Sequence, residues 1–232
     1  MKTLIVTGAS KGIGFEIAQQ FLEEGYRVVN FSRSASSDER IESHSIDFSF
    51  SDAEDQARKL LSIVLESGEI CLVHNAARLN NDTAHKTDTE SFREVMNINV
   101  VAAHILNQII IPLMQPGSSI IYLGSTLSEK AVANTYSYIV SKHAIIGMMR
   151  STCQDLKGTG IHTACVCPGF TDTEMLRSHI GDDPEVASSI AAVSTFGRLI
   201  APAEIASTVK FVAQNPVING SVLHANLGQI EN

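Results

Sequence analysis

Between the β-rich apolar run Leu4-Ile5-Val6 and a stretch with apolar residues at Ile17, Ala18, Phe21 and Leu22, the chain reads Thr7-Gly8-Ala9-Ser10-Lys11-Gly12-Ile13-Gly14. Counted from Gly14, those apolar positions fall at i+3, i+4, i+7 and i+8, one face of a helix. Strand, glycine turn and amphipathic helix in that order leave few folds open. The missing side chains let backbone N–H groups and the helix dipole approach a pyrophosphate. A P-loop is excluded, because Lys11 precedes Gly12 and no Gly-Lys-Ser/Thr ending follows.

The alternation continues along the chain. Gly25 suits the position past the first helix, and Val28-Val29-Asn30-Phe31 resumes a strand. A weaker strand is expected at His44 to Ile46, before Asp47. Ser51 and Glu54 have capping-box spacing ahead of a helix carrying Ala57, Leu60, Leu61 and Val64, with Gly68 as its expected terminator. Ile70 to Val73 reads as a buried strand, and Val95, Ile98, Ala102, Ile105, Leu106 and Ile109 mark a long helix stopping near Pro112. A strand at Ile120 to Leu123, a helix from about Tyr136 to Leu156, a strand at Ile161 to Val166, a helix after Pro202 and a strand near Val222 complete the series. Continuous apolar strands separated by helices imply a doubly wound, Rossmann-type parallel sheet covered on both faces. The expectation is one α/β domain over residues 1–232, with the aperiodic stretch 173–197 as a functional connection.

Composition narrows the function. Seventeen Lys and Arg against 25 Asp and Glu give a net charge of −8, which repels a phosphate backbone and argues against nucleic acid. No apolar stretch approaches the roughly 18–20 residues of a bilayer span, so no membrane partner is expected. Cys71, Cys153, Cys165 and Cys167 form neither a disulfide framework nor a zinc pattern, and no metal is assigned. The short run after Met1 and Lys2 is not a signal peptide, so the expected compartment is the cytoplasm.

Thr-Gly-x-x-x-Gly-x-Gly at this place, which is not the G-x-G-x-x-G of ordinary Rossmann dehydrogenases, resembles the short-chain dehydrogenase/reductase family in its single-domain form. The resemblance implies that Gly8, Ser10, Lys11, Gly12, Ile13 and Gly14 hold a dinucleotide, that Asp47 meets the adenine edge, and that Asn75 and Ala76 match the family's Asn-Asn-Ala-Gly turn. His74 and Ala77 replace the first Asn and the Gly of that turn. At the ribose-reading position, where an Asp favours NAD, stands Ser32. Arg33 follows it, and with Lys11 it supplies two cations for a 2′-phosphate, so the expected cofactor is NADP(H).

Tyr138 and Lys142 lie four residues apart, one turn along the same helix face. Carbonyl reduction needs an acid for the developing alkoxide, and a nearby cation favours the phenolate. Ser125 lies thirteen residues before Tyr138, directly after a strand, with Thr126 as a minor rival. Tyr136 has Val140 four residues on and no lysine partner. By resemblance, Asn99 supports a water-mediated proton relay to the lysine, with Asn97 two residues away as the alternative register. The Cys167-Pro168-Gly169 segment resembles the family's nicotinamide-carboxamide turn, which implies cofactor contacts at Pro168, Gly169, Thr171 and Thr173.

The resemblance covers Thr7 to the Pro202–Ala206 segment and implies an oxidoreductase. By the same resemblance such an enzyme would move a hydride between NADP(H) and a small carbonyl or alcohol, with Tyr138 as general acid/base, Ser125 orienting oxygen, and Lys142 binding ribose and tuning Tyr138. Residues 173–197 would form a substrate lid, and a homodimer or homotetramer is expected. The competing expectation is a catalytically weak dinucleotide-binding regulator or scaffold of the same fold. Only thirteen residues separate Arg33 from Asp47, so the helix usual there is shortened or lost, and Ala225-Asn226-Leu227-Gly228 replaces the family's Asp-Gly-Gly.

Overall fold

Strands with apolar side chains on both faces must be covered on both sides, and the computed structural model shows how. It describes residues 2–181 and 183–230; Met1, Glu231 and Asn232 of the expected 1–232 domain, and Asp182 of the expected 173–197 lid, lie outside the described residues. The strands β1 (Thr3–Thr7), β2 (Arg27–Ser32), β3 (Glu42–Ser45), β4 (Ile70–His74), β5 (Ser119–Leu123), β6 (His162–Pro168) and β7 (Val222–Ala225) form one sheet in the order β3-β2-β1-β4-β5-β6-β7. Every pairing is parallel. The order reverses between β1 and β4, the topological switch point where doubly wound sheets bind ligands.

The period-2 alternation of β1 divides the core. Leu4 and Val6 join α1 (Gly12–Glu23) and α8 (Pro202–Gln214) through Ile17, Phe21, Ile205 and Val209. Ile5 points the other way, into a cluster with Leu61 of α2 (Ala53–Val64), Leu106 of α4 (Ala102–Ile110) and Met149 of α5 (Tyr136–Asp155). By length and composition Thr89–Leu113 passes for a bilayer-spanning helix, an exception to the expectation above. Here its apolar side, including Leu106 and Ile110, is buried in this cluster. That run is α3 (Thr89–Met96), a π-helical turn over Asn97–Val101, and then α4.

Three local expectations are corrected. The Ser51–Glu54 capping box does not form: α2 begins after Asp52, and Glu54 instead accepts from Arg58 one turn on, at 3.0 Å. An i,i+4 ion pair along the helix thus takes the carboxylate from the cap. The same helix stops at Val64, before Gly68, whose N–H and C=O pair with Leu113 and Gln115. The aperiodic stretch 173–197 carries two short helices, α6 (Glu174–Ile180) and α7 (Pro184–Ala191), capped by Thr173 and Asp183. Among the described residues no helix joins β2 to β3, as the short spacing implied.

The glycine turn is the tightest seam in the fold. A Cβ on Gly14 would stand 2.4 Å from the Gly8 carbonyl oxygen and 2.5 Å from Asn75 Nδ2. Alanine would gain about 1 kcal/mol of helix propensity, but backbone overlap of that size costs more, typically about 1–3 kcal/mol. Gly14→Ala is therefore expected to lower the urea midpoint despite the better helix former; an unchanged or raised midpoint would show that the seam yields.

Candidate active site

The site grows from the ends of β1, β2, β4, β5 and β6. At β1, the Thr7 hydroxyl accepts from the Asn75 and Ala76 amides at 3.0 and 2.9 Å, and Asn75 Nδ2 donates to the Thr7 and Gly8 carbonyls at 2.8 and 3.2 Å. The loop after β4 is thereby locked to the glycine turn. From β2, the fully buried Asn30 accepts from the Ala9 amide at 2.9 Å and donates to the hydroxyls of Ser32 and Ser43. Sequence reasoning gave neither Thr7 nor Asn30 a role. A polar residue inside the apolar run Val28–Phe31 was the signal for Asn30.

Gly8 and Gly12 have φ of +71° and +59°, which suit glycine, and α1 starts at Gly12, after the N-cap residue Lys11, without a side-chain cap or an acid in its first turn. The helices α2, α5 and α8 likewise begin without a side-chain cap, whereas α3, α6 and α7 have one. The first amides of α1 therefore face the turn without a capping side chain, as an anion site requires. Ser10 and Ile13 lie in the same turn, both partly exposed. Lys11 does not reach towards Arg33: its ammonium pairs with Glu174 of α6 at 2.6 Å, with both side chains largely exposed.

Ser32 is buried at the end of β2, its hydroxyl donating to the Ser34 carbonyl at 2.6 Å, while Arg33 is exposed. Asp47 lies near Arg33. Burial works against its charge, but hydrogen bonds from Ser49 and the positive charges of Arg33 and Arg78 hold its carboxyl below the usual range. On the opposite side, Pro168 ends β6, and Gly169 packs so closely that a Cβ there would meet Asn226 at 3.0 Å. Thr171 donates to the Gly169 carbonyl, and Thr173 caps α6 beside Gly12, with its Cγ2 3.5 Å from where a Gly12 Cβ would stand.

Tyr138 and Lys142 share a face of α5, with the ammonium 5.5 Å from the centre of the phenol ring. Lys142 is 4% exposed, so its charge needs partners, and it donates to the Leu123 carbonyl at the end of β5 at 2.6 Å. Ser125 follows that carbonyl by two residues. It caps a short helical turn over Thr126–Ser128, accepting from the Leu127 amide at 3.1 Å, which leaves its own O–H to donate. Thr126 is buried. Gly124 precedes Ser125 because a Cβ there would meet the Cys167 and Cys165 sulfurs at 2.7 and 2.8 Å.

Asn99 lies in the π-helical turn, where such bulges often accompany function. Its amide is fully engaged, accepting from the Arg78 N–H and donating to the Arg78 carbonyl and to Ser141 on α5, at 2.7, 3.0 and 2.8 Å. Asn97 points elsewhere, to the Ser49 carbonyl at 3.5 Å. Asn99, Lys142, Thr7 and His74 line a common cavity of about 10 Å³, about enough for one water. A further anchor, missed from sequence, is Asp82: it accepts from the Ser137 amide at 3.0 Å and from the Ser137 hydroxyl, holding the start of α5 next to Tyr138.

His74 begins a buried polar chain. Its Nε2 pairs with Asn107 Oδ1 at 2.8 Å, Asn107 donates to the Tyr122 hydroxyl at 2.7 Å, and that hydroxyl pairs with Thr152 at 3.2 Å. Burial pulls the imidazole down from 6.5 to about 4, against the raising pull of the Asn107 bond. Between those values the unfolded chain holds a proton that the folded chain does not. Stability from this group is thus complete above about pH 6.5 and falls as pH drops towards 4, by about 3 kcal/mol in all. In urea unfolding between pH 7 and 4.5, wild type should lose about 2–3 kcal/mol more than His74→Asn; parallel pH profiles would assign the loss elsewhere.

Residues 8–229 match the family described as Enoyl-(Acyl carrier protein) reductase. The chain is 29% identical to 3-oxoacyl-[acyl-carrier-protein] reductase FabG of Vibrio harveyi, over 98% of this chain and 96% of that protein. Among solved structures it resembles aldohexose dehydrogenase of Thermoplasma acidophilum, with TM-score 0.89 and 26% identity over 98% of this chain and 93% of that one. It is also similar to a blue fluorescent protein from a metagenomic library in complex with NADPH, with TM-score 0.85 and 27% identity over 98% and 97%.

Proposed function

Because the chain belongs to the short-chain dehydrogenase/reductase family and is a dinucleotide-dependent oxidoreductase, we propose that it reduces a carbonyl compound with NADPH, with Tyr138 as the proton donor. The observation that carries this reading is the buried Lys142 ammonium over the Tyr138 ring, tied to the β5 carbonyl that leads into Ser125. When bound, the nicotinamide supplies the hydride to the carbonyl carbon. Ser125 donates a hydrogen bond to the substrate oxygen, Tyr138 gives that oxygen its proton, and the Lys142 charge stabilises the phenolate left behind. Lys142 and Tyr138 also hold the ribose. Asn99 fixes the Arg78 loop against α5 and keeps Lys142 beside the small cavity through which the proton is replaced.

The glycine seam and the uncapped start of α1 fit a pyrophosphate, with Gly8, Ser10, Gly12, Ile13 and Gly14 around it. Asp47 takes the adenine edge, Asn75 and Ala76 underlie the cofactor, and Pro168, Gly169, Thr171 and Thr173 take the carboxamide end. A 2′-phosphate finds Arg33 exposed and the neutral Ser32 where a carboxylate would repel it. Lys11 joins only by leaving Glu174, and exposed pairs of this kind contribute little. The exchange frees the Glu174 carboxylate at the start of α6, and residues 173–197, next to the carboxamide end, act as a lid over the bound cofactor. Assembly as a homodimer or homotetramer belongs to the same proposal, through the helices bearing Asn99 and Tyr138, which leave Val101, His104 and His143 exposed.

The test is a calorimetric titration of NADPH and NADH on wild type and Arg33→Ala, with turnover of Tyr138→Phe alongside. Arg33→Ala should weaken NADPH by about tenfold or more and spare NADH. Tyr138→Phe should lose about 10²–10⁴-fold in turnover while still binding NADPH. Equal affinities for the two dinucleotides would remove the phosphate clamp, and binding of neither would favour a non-catalytic scaffold. Limited proteolysis at 173–197 should change on NADPH saturation; an identical cleavage pattern would exclude the lid.

A further inference from the structure

Three segments that follow the C-terminal ends of β4, β5 and β6 meet around one cleft of about 770 Å³, within the size of small-molecule sites. They are the loop from Leu79 through Asp88 to Ser91, Asn134 just before α5, and Met175, Ser178 and His179 of α6. The hydrogen bonds of Asp82 to Asn134 and Ser137 join the first segment to the start of α5, so the cleft wall and Tyr138 rest on a common anchor. Only Leu79 and Met175 are apolar among the lining side chains. An acyl chain laid in such a cleft would strip water from amides and hydroxyls and return no hydrogen bonds.

The lining residues divide by what they have left to offer. The Asp82 carboxylate is committed to Ser137, the Thr87 hydroxyl to the Thr83 carbonyl, the Ser178 hydroxyl to the Met175 carbonyl, and Asp88 to the start of α3. Among the described residues, the side chains of Asn81, Thr83, Lys86, Asn134 and His179 have no hydrogen-bond partner; the Thr83 hydroxyl is buried, and the other four are exposed and can turn their polar groups to the space. Charge adds a second constraint. Two carboxylates, Asp82 and Asp88, stand against the single ammonium of Lys86 in a chain of net charge −8, which disfavours an anionic substrate or carrier.

We infer that the substrate is an uncharged, hydroxyl-rich carbonyl compound of sugar or polyol type, whose hydroxyls bond to Asn81, Lys86, Asn134 and His179. The inference rests on the reductase reading above and names the substrate class for it.

The test compares kcat/KM at saturating NADPH for D-xylulose, D-fructose and D-glucose against cyclohexanone, 2-octanone and acetoacetyl-CoA. At least one hydroxylated compound should exceed every other by about a hundredfold, since a site built to bond hydroxyls rejects analogues without them. Asn81→Leu should raise KM for the best hydroxylated compound about tenfold, one hydrogen bond's worth. Preference for 2-octanone or acetoacetyl-CoA, or an unchanged KM in Asn81→Leu, overturns the inference. Where no compound turns over, calorimetry of the NADP⁺-loaded protein with xylitol and 2-octanol decides: binding of xylitol supports it, and binding of 2-octanol alone or of neither overturns it. Failure of the underlying reading appears separately, as turnover that survives Tyr138→Phe or as absent NADPH binding.

Discussion

The contact on which the rest of the site depends is the one between the glycine turn and the end of β4. Gly8, Gly14 and Asn75 meet there with no room for a Cβ on Gly14, and the Thr7 hydroxyl collects two amides from the opposite loop. This seam lies at the point where the strand order reverses, so it sets the width of the crevice that doubly wound sheets use for ligands. It also fixes the loop after β4, whose Arg78 backbone is gripped by Asn99 and whose Asp82 holds the start of α5. Through those two contacts the position of Tyr138 is tied back to the glycine turn.

Buried polar groups provide the rigidity behind this arrangement. Lys142 is tolerated inside because a strand-end carbonyl accepts from it, and the chain His74, Asn107, Tyr122 and Thr152 is satisfied link by link. A network completed in this way favours one packing, because every alternative leaves a polar atom unpaired. His74, in place of the Asn of the family's turn, lets β4 bond to Asn107, and Gly124 leaves the space taken by the Cys165 and Cys167 sulfurs.

Much of this fold is legible in the amino-acid sequence. Undiluted apolar runs at Leu4–Val6, Ile70–Val73 and Ile120–Leu123 marked strands buried on both faces, and Tyr138 with Lys142 marked one helix face. Local chemistry was read less well where side chains had a choice of partner. Glu54 had both a capping box and Arg58 within reach and took Arg58. Residues 173–197 lacked a clear period because α6 and α7 are short and bury no residue fully, so no apolar face was needed to hold them.

The order of elements, the glycine turn and the spacing of Tyr138 and Lys142 are properties of the sequence alone, because periodicity and i,i+4 geometry are local. Tertiary structure alone decided that Lys11 pairs with Glu174, 163 positions away, that Asp82 braces Ser137, and that Asn99 rather than Asn97 faces Lys142. It also gathered loop 79–91, Asn134 and α6 into one polar cleft. These are contacts between segments remote in sequence. Their partners are selected by which strand ends a parallel sheet brings to the same edge, and no local pattern encodes that.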